Sequence, residues 1–371
     1  MKQNFFKKLA TGTLLLALPL VFNGCGNVDN PLEEIINNAS TPPVFKKYNP
    51  NTDKWETIDL SKVDFTKLDE AYVKKLLKEG ELHMTAGRYL VEGNVTINAD
   101  VFPSGGGALQ ILLSDGSKLQ INGAVCCSDE VSLEIYGQTA NTGVMSVNST
   151  GGNSAVRADG LVVGGANLIT EAKGTYTAAI EVIGSFEQHA GAVKATTDNA
   201  SVAALINGDA NIYGGKTKFD SAEGNAVCIE GNAKIGGDVY GGYAENGKAE
   251  ANTVSVSAQG ATGGIAFDGG NGKLIVKGGA TVNVTATGAG TKAVDGSVIA
   301  DYRGGSPTIQ LVGGENGLAC TTFTYNEGTN PGTNPNFYKF DEDGHWIIFN
   351  ENLDPGDVWN CNERAFKAEC F

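Results

Sequence analysis

From Leu82 onward, apolar and polar residues alternate in short runs that end at turn-forming dipeptides. The runs GRYLVEGNVTI, GALQILLSDGSKLQI and VSLEIYG are separated by signals such as Asp115-Gly116. Alternation with a period of two is typical of strands that bury one face. No proline occurs between Pro103 and Pro307. That gap favours a continuous hydrogen-bonded ladder, because proline cannot donate to one.

One unit of this pattern repeats through the middle of the chain. Each unit starts with a heptad that ends in glycine, and two more short segments, often divided by Gly-Gly, follow it. About 24 residues at roughly 3.3 Å each give a contour near ~80 Å, which suits three short strands and three turns. A parallel α/β unit would need a crossover helix, and the repeat has no room for one. The heptads are SAVRADG, AAIEVIG, VAALING, NAVCIEG and GGIAFDG, ending at Gly160, Gly184, Gly208, Gly231 and Gly269.

The repeat predicts an all-β fold, a right-handed parallel β-helix with three short strands per coil and about eight or nine coils over residues 86–317. An antiparallel β-sandwich is the alternative, since it also produces alternation and turns. In the coil NAVCIEGNAKIGGDVYGG, we expect Val227 and Ile229 to point inward. They would stack between Ala204 and Ile206 on one side and Ile265 and Phe267 on the other.

Both ends of the chain depart from the repeat. Residues 65–85 predict an N-terminal capping helix, with Asp64 or Thr66 as its cap and Gly80 as its stop. Residues 25–64, rich in Asn, Pro and Thr, predict a flexible tether. Residues 318–371 predict a C-terminal cap that covers the last open edge. The apolar residues of this cap are Phe337, Tyr338, Phe340, Trp346, Ile347, Ile348, Phe349 and Trp359.

The first residues predict export. Three lysines precede an apolar run from Leu9 to Phe22, which is too short to cross a membrane comfortably. With Gly24-Cys25 behind it, the segment 1–24 resembles a bacterial lipoprotein signal peptide. The resemblance implies that Cys25 carries the lipid, which anchors the chain to a membrane without spanning it. The expected location is the bacterial cell envelope, as an outer-membrane lipoprotein on the periplasmic or the exposed side.

The net charge of the chain limits the classes of molecule that it can bind. The chain has 371 residues and a net charge of −15, and removal of the three lysines of residues 1–24 takes this to about −18. A surface this acidic repels phosphate backbones, so we expect no nucleic-acid partner. A polyanionic glycan would also be repelled unless a cation bridged the two.

Six cysteines follow Cys25, and an exported protein can pair them. Cys361 and Cys370 close a short terminal loop and are the candidate disulfide. The chain contains no CxxC motif and only three histidines, so nothing supports a zinc site.

The residues before the repeated glycines predict a column of outward side chains at one corner of the solenoid. Coils spaced ~4.8 Å apart would line up their oxygen atoms, and calcium binds several such ligands. The alternative is that Asp-Gly and Asn-Gly are simply good turn formers. Ile183 interrupts the column, and no second cofactor is indicated. The candidate calcium ligands are Asp159, Asn207, Glu230 and Asp268.

The phrase LEIYGQTANTG, the opening GRYLVEGNVTI and the Gly-Gly coils resemble bacterial surface β-helix domains of carbohydrate-binding type. The resemblance covers residues 86–317. It implies polysaccharide binding, which in some relatives involves acidic plant polysaccharide and calcium. Tyr213, Tyr240 and Tyr243 are the candidate sugar-stacking residues, with packing in the core or at a corner as the alternative.

The sequence leaves three functions open: polysaccharide binding, a structural spacer or protein-binding adhesin of the cell surface, and a polysaccharide lyase. Aromatic residues along one exposed face would favour the first, and a smooth face of small residues the second. A Lys or Arg beside a carboxylate pair in a groove would favour the third. We expect no enzyme, because Arg157 is expected to pair with Asp159 or Glu181.

Overall fold

The computed structural model describes residues 45–49, 54–58, 62–138, 140–174, 177–198, 201–236, 254–268, 272–302, 306–326, 335–349 and 353–369. These residues belong to one compact unit, residues 43–371. The predicted signal peptide lies outside the described residues.

The described chain forms a parallel β-helix of about ten turns. Each complete coil runs through sheet 1, sheet 2 and sheet 3 in that order, and the strands of neighbouring coils pair in parallel in all three sheets. The predicted solenoid is therefore confirmed, and the antiparallel sandwich is excluded.

The strands follow one another along the chain in three groups. The first group is β1 Phe45–Asn49, β2 Lys54–Ile58, β3 Thr66–Lys67, β4 Leu77–Lys78, β5 Glu81–Val91, β6 Asn94–Ile97, β7 Asp100–Leu113, β8 Lys118–Ile121, β9 Val125–Cys126, β10 Val131–Gly137, β11 Val144–Ser149 and β12 Val156–Ala158. The second is β13 Leu161–Ala172, β14 Ile180–Val182, β15 Phe186–Thr197, β16 Ala204–Ile206, β17 Ala210–Ile212, β18 Lys216–Ser221, β19 Asn225–Ile229, β20 Ala233–Ile235, β21 Ser255–Gly260 and β22 Gly263–Phe267. The third is β23 Lys273–Lys277, β24 Thr281–Ala286, β25 Val294–Asp295, β26 Ser297–Asp301, β27 Thr308–Val312, β28 Thr322–Asn326, β29 Asn336–Phe340, β30 Trp346–Ile348, β31 Trp359–Asn360 and β32 Ala365–Glu369.

Four long strands bend through a corner and take part in two sheets: β5 and β7 in sheets 1 and 2, β13 and β15 in sheets 2 and 3. The other strands of sheet 1 are β9, β12, β14, β16, β19, β22 and β25. Those of sheet 2 are β3, β10, β17, β20, β23, β26 and β28. Those of sheet 3 are β6, β8, β11, β18, β21, β24 and β27.

Glycine makes the corner between sheets 2 and 3. Gly191 has φ +78°, and a Cβ there would lie 2.0 Å from the carbonyl oxygen of Ala166 in the preceding coil. No L side chain fits both the backbone conformation and this approach. This corner therefore requires glycine at position 191, whereas alanine is accommodated at position 190 before it.

The core is a set of apolar columns inside the solenoid. Val227 pairs in register with Ala204 and Ile265, and all three side chains are buried. Ile229 pairs with Ile206 and Phe267 in the same way. This register is the one predicted from the heptads.

The N-terminal helix is shorter than predicted. Helix α1, Glu70–Leu76, begins after Asp69, whose carboxylate accepts a 2.9 Å hydrogen bond from the Tyr72 N–H. The predicted caps Asp64 and Thr66 are wrong. Thr66–Lys67 is extended and pairs with Tyr89–Leu90 in sheet 2, so the helix cannot begin before this strand ends.

The predicted tether, residues 25–64, is wrong for its last part. Strands β1 and β2 form an antiparallel hairpin. Phe45 is buried against Leu90, Leu112 and Tyr136, which lie on the outer side of sheet 2. These outward apolar residues need a cover, and the hairpin provides it.

The C-terminal cap changes the strand direction. Strand β32 pairs antiparallel with β27 at the end of sheet 3, and β31 pairs antiparallel with β28 at the end of sheet 2. Phe337, Phe349 and Phe366 are buried there, whereas Ile347 and Ile348 of the edge strand β30 are exposed. The cap thus covers the last coil with part of the predicted aromatic set.

Within the described residues, no helix has the length and hydrophobicity needed to cross a membrane.

Candidate functional site

The predicted corner column exists as a line of surface residues. Backbone hydrogen bonds join the coils there: the Asn207 N–H donates to Val182 O, and the Glu230 N–H donates to Ile206 O, each at 2.9 Å. Asp159, Glu230 and Asp268 are exposed, and Asn207 is half-buried. None of these four side chains makes a hydrogen bond or ion pair with another described residue.

The corner column does not place three acidic side chains within 4.8 Å of one another. Among the described residues, the group of three or more His, Cys, Asp or Glu whose ligand atoms lie within 4.8 Å of one another is Asp341, Asp343 and His345. This group is a turn of the C-terminal cap, in which the Asp341 carboxylate accepts hydrogen bonds from the N–H groups of Asp343 and His345. Those bonds hold the pKa of Asp341 below its ordinary value. The calcium site at the corner column remains a prediction.

The next outward column of sheet 1 contains an ion pair between two neighbouring coils. Arg157 Nε lies 3.2 Å from Glu181 Oε1, and the Ser154 hydroxyl donates a 2.7 Å hydrogen bond to Glu181 Oε2. The expected pairing of Arg157 is confirmed for Glu181. The guanidinium group is held by a carboxylate in the neighbouring coil.

Of the three candidate stacking residues, only Tyr213 is described. Its ring stacks on that of His189, with the centroids 5.3 Å apart and the planes at 17°. His189 is buried, with Nε2 lying 3.2 Å from Glu187 Oε2. One face of Tyr213 is therefore covered by protein. Tyr240 and Tyr243 lie outside the described residues.

Cys25 and Cys370 also lie outside the described residues. Cys361 is buried where the last coil meets the C-terminal cap. The lipid anchor and the Cys361–Cys370 pairing remain predictions.

The outer side of sheet 2 holds a polar chain beside the hairpin. Arg88 Nε donates to Gln110 Oε1 at 2.7 Å, and Gln110 Nε2 donates to Glu134 Oε2 at 2.8 Å. The Tyr136 hydroxyl donates a 2.7 Å hydrogen bond to the same carboxylate oxygen. Burial and the carboxylate of Glu134 raise the pKa of Tyr136 well above its ordinary value. The polar groups of these four side chains therefore hydrogen-bond to one another.

Sheet 3 presents a different surface, which we call the polar face. Its central column has one outward residue per coil, each paired in register with the next, and every member is exposed or half-buried. Hydrogen-bonding side chains occupy all positions except Ile169. The central column is Thr96, Gln120, Ser146, Ile169, Lys194, Lys218, Ser257, Asn283 and Gln310.

A second column of the polar face lies two residues further along each strand. It contains Asn148, Glu171, Thr196, Asp220, Gln259 and Thr285.

Several side chains of the polar face have no polar partner in the part of the chain that the structure describes. The side chains of Lys194, Ser257, Asn283 and Gln310 make no hydrogen bond or ion pair with another residue that the structure describes. Lys218 contacts Asp220 at 2.6 Å and remains more than half exposed. The face therefore offers donors and acceptors to a ligand.

Sequence reasoning missed the polar face. The signal was present in the third segment of each unit, where KATT, KTKFDS, VSVSAQ and TVNVTA carry polar residues at alternate positions. This alternation places the polar residues on one side of a strand. Unlike the acidic corner and the tyrosines, this signal contains no single residue type that indicates a ligand.

Comparison with known protein families, curated proteins and solved structures found no match to this chain.

Proposed function

We propose that the protein binds polysaccharide along the polar face of sheet 3, as a lipid-anchored protein of the bacterial cell envelope. The observation that carries the proposal is the in-register central column of hydrogen-bonding side chains from Lys194 to Gln310. An extended glycan lying along the solenoid axis would meet a new donor or acceptor at each coil, ~4.8 Å apart.

The chemistry of the column suits hydroxyl groups. Asn283 and Gln310 each offer a carbonyl oxygen and two N–H donors, Ser257 both donates and accepts, and the lysines donate. A single such bond contributes only about 1 kcal/mol net, so affinity would come from contacts repeated over several coils. A long polymer fits this requirement better than a monosaccharide.

Charge favours the same face. Lys194, Lys216 and Lys218 are exposed on two neighbouring coils of an acidic chain. Asp220 compensates Lys218, whereas Lys194 has no ion-pair partner among the described residues. A glycan with occasional carboxylates would be accepted at this point.

In this proposal, calcium binds at the corner column. Glu230 is one coil from both Asn207 and Asp268, so neighbouring coils would share an ion with water completing its ligands. Cys25 carries the lipid in this proposal, and residues 26–44 connect it to the hairpin.

The test is a glycan-array screen of residues 26–371 with plant, host and microbial polysaccharides, in calcium and then in chelator. We expect binding in both conditions, weakened about 10-fold in Lys194→Ala/Lys218→Ala because hydrogen bonds from charged groups are lost. Lys74→Ala/Lys75→Ala on α1 removes the same charge elsewhere and should bind as the unsubstituted protein does. Binding lost only in chelator would move the site to the corner column.

A second function is a structural spacer or protein-binding adhesin. The observation that favours it is the composition of the polar face, whose two named columns carry no aromatic residue. Silence across the array, with a folded protein, would favour this function over glycan binding.

A further inference from the structure

Two buried cysteines meet where the last coil joins the C-terminal cap. Cys320 lies just before β28 and is 0% exposed, and Cys361 lies just after β31 and is 2% exposed. Both belong to the main hydrophobic core. They are far apart in sequence but adjacent in space.

The backbone holds these two segments together. Strands β28 and β31 pair antiparallel, with Thr322 opposite Asn360. Beyond them, the Cys361 N–H donates to Thr321 O at 3.2 Å, and the Ala319 N–H donates to Glu363 O at 2.8 Å. The Cα atoms of the two cysteines are thus fixed by bonds on both sides.

The two free thiols are hydrogen-bonding partners. The thiol and the backbone N–H of Cys320 both hydrogen-bond to the sulfur of Cys361. Donation from Cys320 lowers the pKa of Cys361, and the pKa of the donor Cys320 is raised. Cys361 is therefore the better nucleophile of the pair.

We propose that Cys320 and Cys361 form a disulfide that joins the last coil to the C-terminal cap. The oxidant is an external disulfide, such as oxidised glutathione or an envelope oxidoreductase. The Cys361 thiolate attacks it, releases one external thiol that takes the Cys361 proton, and forms a mixed disulfide. The Cys320 sulfur then attacks Cys361 and releases the second external thiol, which takes the Cys320 proton. Two protein thiols are oxidised and one external disulfide is reduced.

The bond would oppose opening of the solenoid from its end. A repeat structure contacts only its neighbours, so its terminal units open first. The disulfide would close residues 320–361 into one loop and keep β31 and β32 on the last coil. Because both thiols are buried, the reaction takes place while the cap docks or when it opens locally. This proposal does not depend on the polysaccharide proposal.

The test is a peptide map of the purified protein after incubation with oxidised glutathione, with free thiols blocked and without reductant. We expect a cross-linked peptide containing Cys320 and Cys361, lighter by two hydrogen atoms than its two parts. We also expect the oxidised protein to melt on the order of 5–10 °C higher than the dithiothreitol-treated protein.

Two variants separate the disulfide from a general effect of cysteine loss. Cys320→Ala should remove the difference between oxidised and reduced melting, whereas Cys228→Ala, half-buried on the outside of sheet 1, should keep it. Blocked thiols at both positions, or a cross-link from Cys361 to Cys370, would overturn the proposal. The map uses the unsubstituted protein, so a folding defect in Cys320→Ala does not affect it.

Discussion

Ile229 lies in register with Ile206 of the preceding coil, and the two side chains are 2% and 1% exposed. On its other side, Ile229 is in register with Phe267 of the following coil. Ile229 therefore lies in an apolar column that runs through three consecutive coils.

Ile229→Asp should unfold these coils, since it places a carboxylate in an apolar column with no partner. We expect a loss of about 4 kcal/mol or more in the free energy of unfolding. Leu205→Asp is the control, because Leu205 faces outward in the neighbouring coil and is half-buried. Chemical denaturation measures both, and an unchanged midpoint for Ile229→Asp would show that the column is not the core.

Gly164→Ala should displace the ring of Tyr136. A Cβ at Gly164 would lie 2.7 Å from Cδ1 and 2.9 Å from Cε1 of that ring, and the ring packs against Phe45 of the hairpin. We expect a destabilisation of about 1–3 kcal/mol. Gly279→Ala, where no atom lies within 4 Å of the added Cβ, should leave the melting temperature unchanged. Equal melting of the two variants would contradict the ring contact.

Alkaline pH should destabilise the protein through Tyr136. Burial and Glu134 raise the pKa of Tyr136 in the folded state above 10.0, so the folded phenol stays neutral while the unfolded one ionises. Its contribution is fully present below about pH 10 and declines as the pH rises further. In Tyr136→Phe, the fall in the free energy of unfolding from about pH 9 to about pH 11 should be shallower. Tyr338→Phe controls for the loss of one phenol, and an equal effect there would assign the decline elsewhere.

Calcium should raise the melting temperature if the corner column binds it. Calcium at about 100 times its dissociation constant would add about 2.7 kcal/mol of stability, and chelator would remove it. Glu230→Gln should abolish the shift, because Glu230 lies between Asn207 and Asp268. Asp343→Asn alters the converging turn of the C-terminal cap instead. A shift lost only in Asp343→Asn would assign calcium to that turn.

The sequence predicted sheet 1 well for a local reason. Each heptad combines alternation with a terminal glycine, so both the inward residues and the position of the turn can be read within seven residues. Val227 and Ile229 occupy the columns expected of them. The pairing of Arg157 with Glu181 followed from the same register.

The N-terminal elements show where local reasoning failed. Leu68 to Leu77 has helical spacing, but Thr66–Lys67 pairs with the first coil and leaves room only for Glu70–Leu76. The hairpin was missed because its stability comes from a distant surface. The adjacent apolar residues Leu90-Val91 and Leu112-Leu113 break the alternation and were the available signal of a covering element.

The solenoid, its three-part coil and the inward residues of the heptads could be predicted from the residue pattern, since these depend on neighbours within one repeat. Which outward residues of different coils share a face became known from the three-dimensional pairing of the strands. Lys218 and Ser257 are in register although a long segment separates them, because ladder hydrogen bonds rather than sequence spacing align the coils. The contact between Cys320 and Cys361 likewise arises from the antiparallel closure of the last coil, which no local pattern encodes.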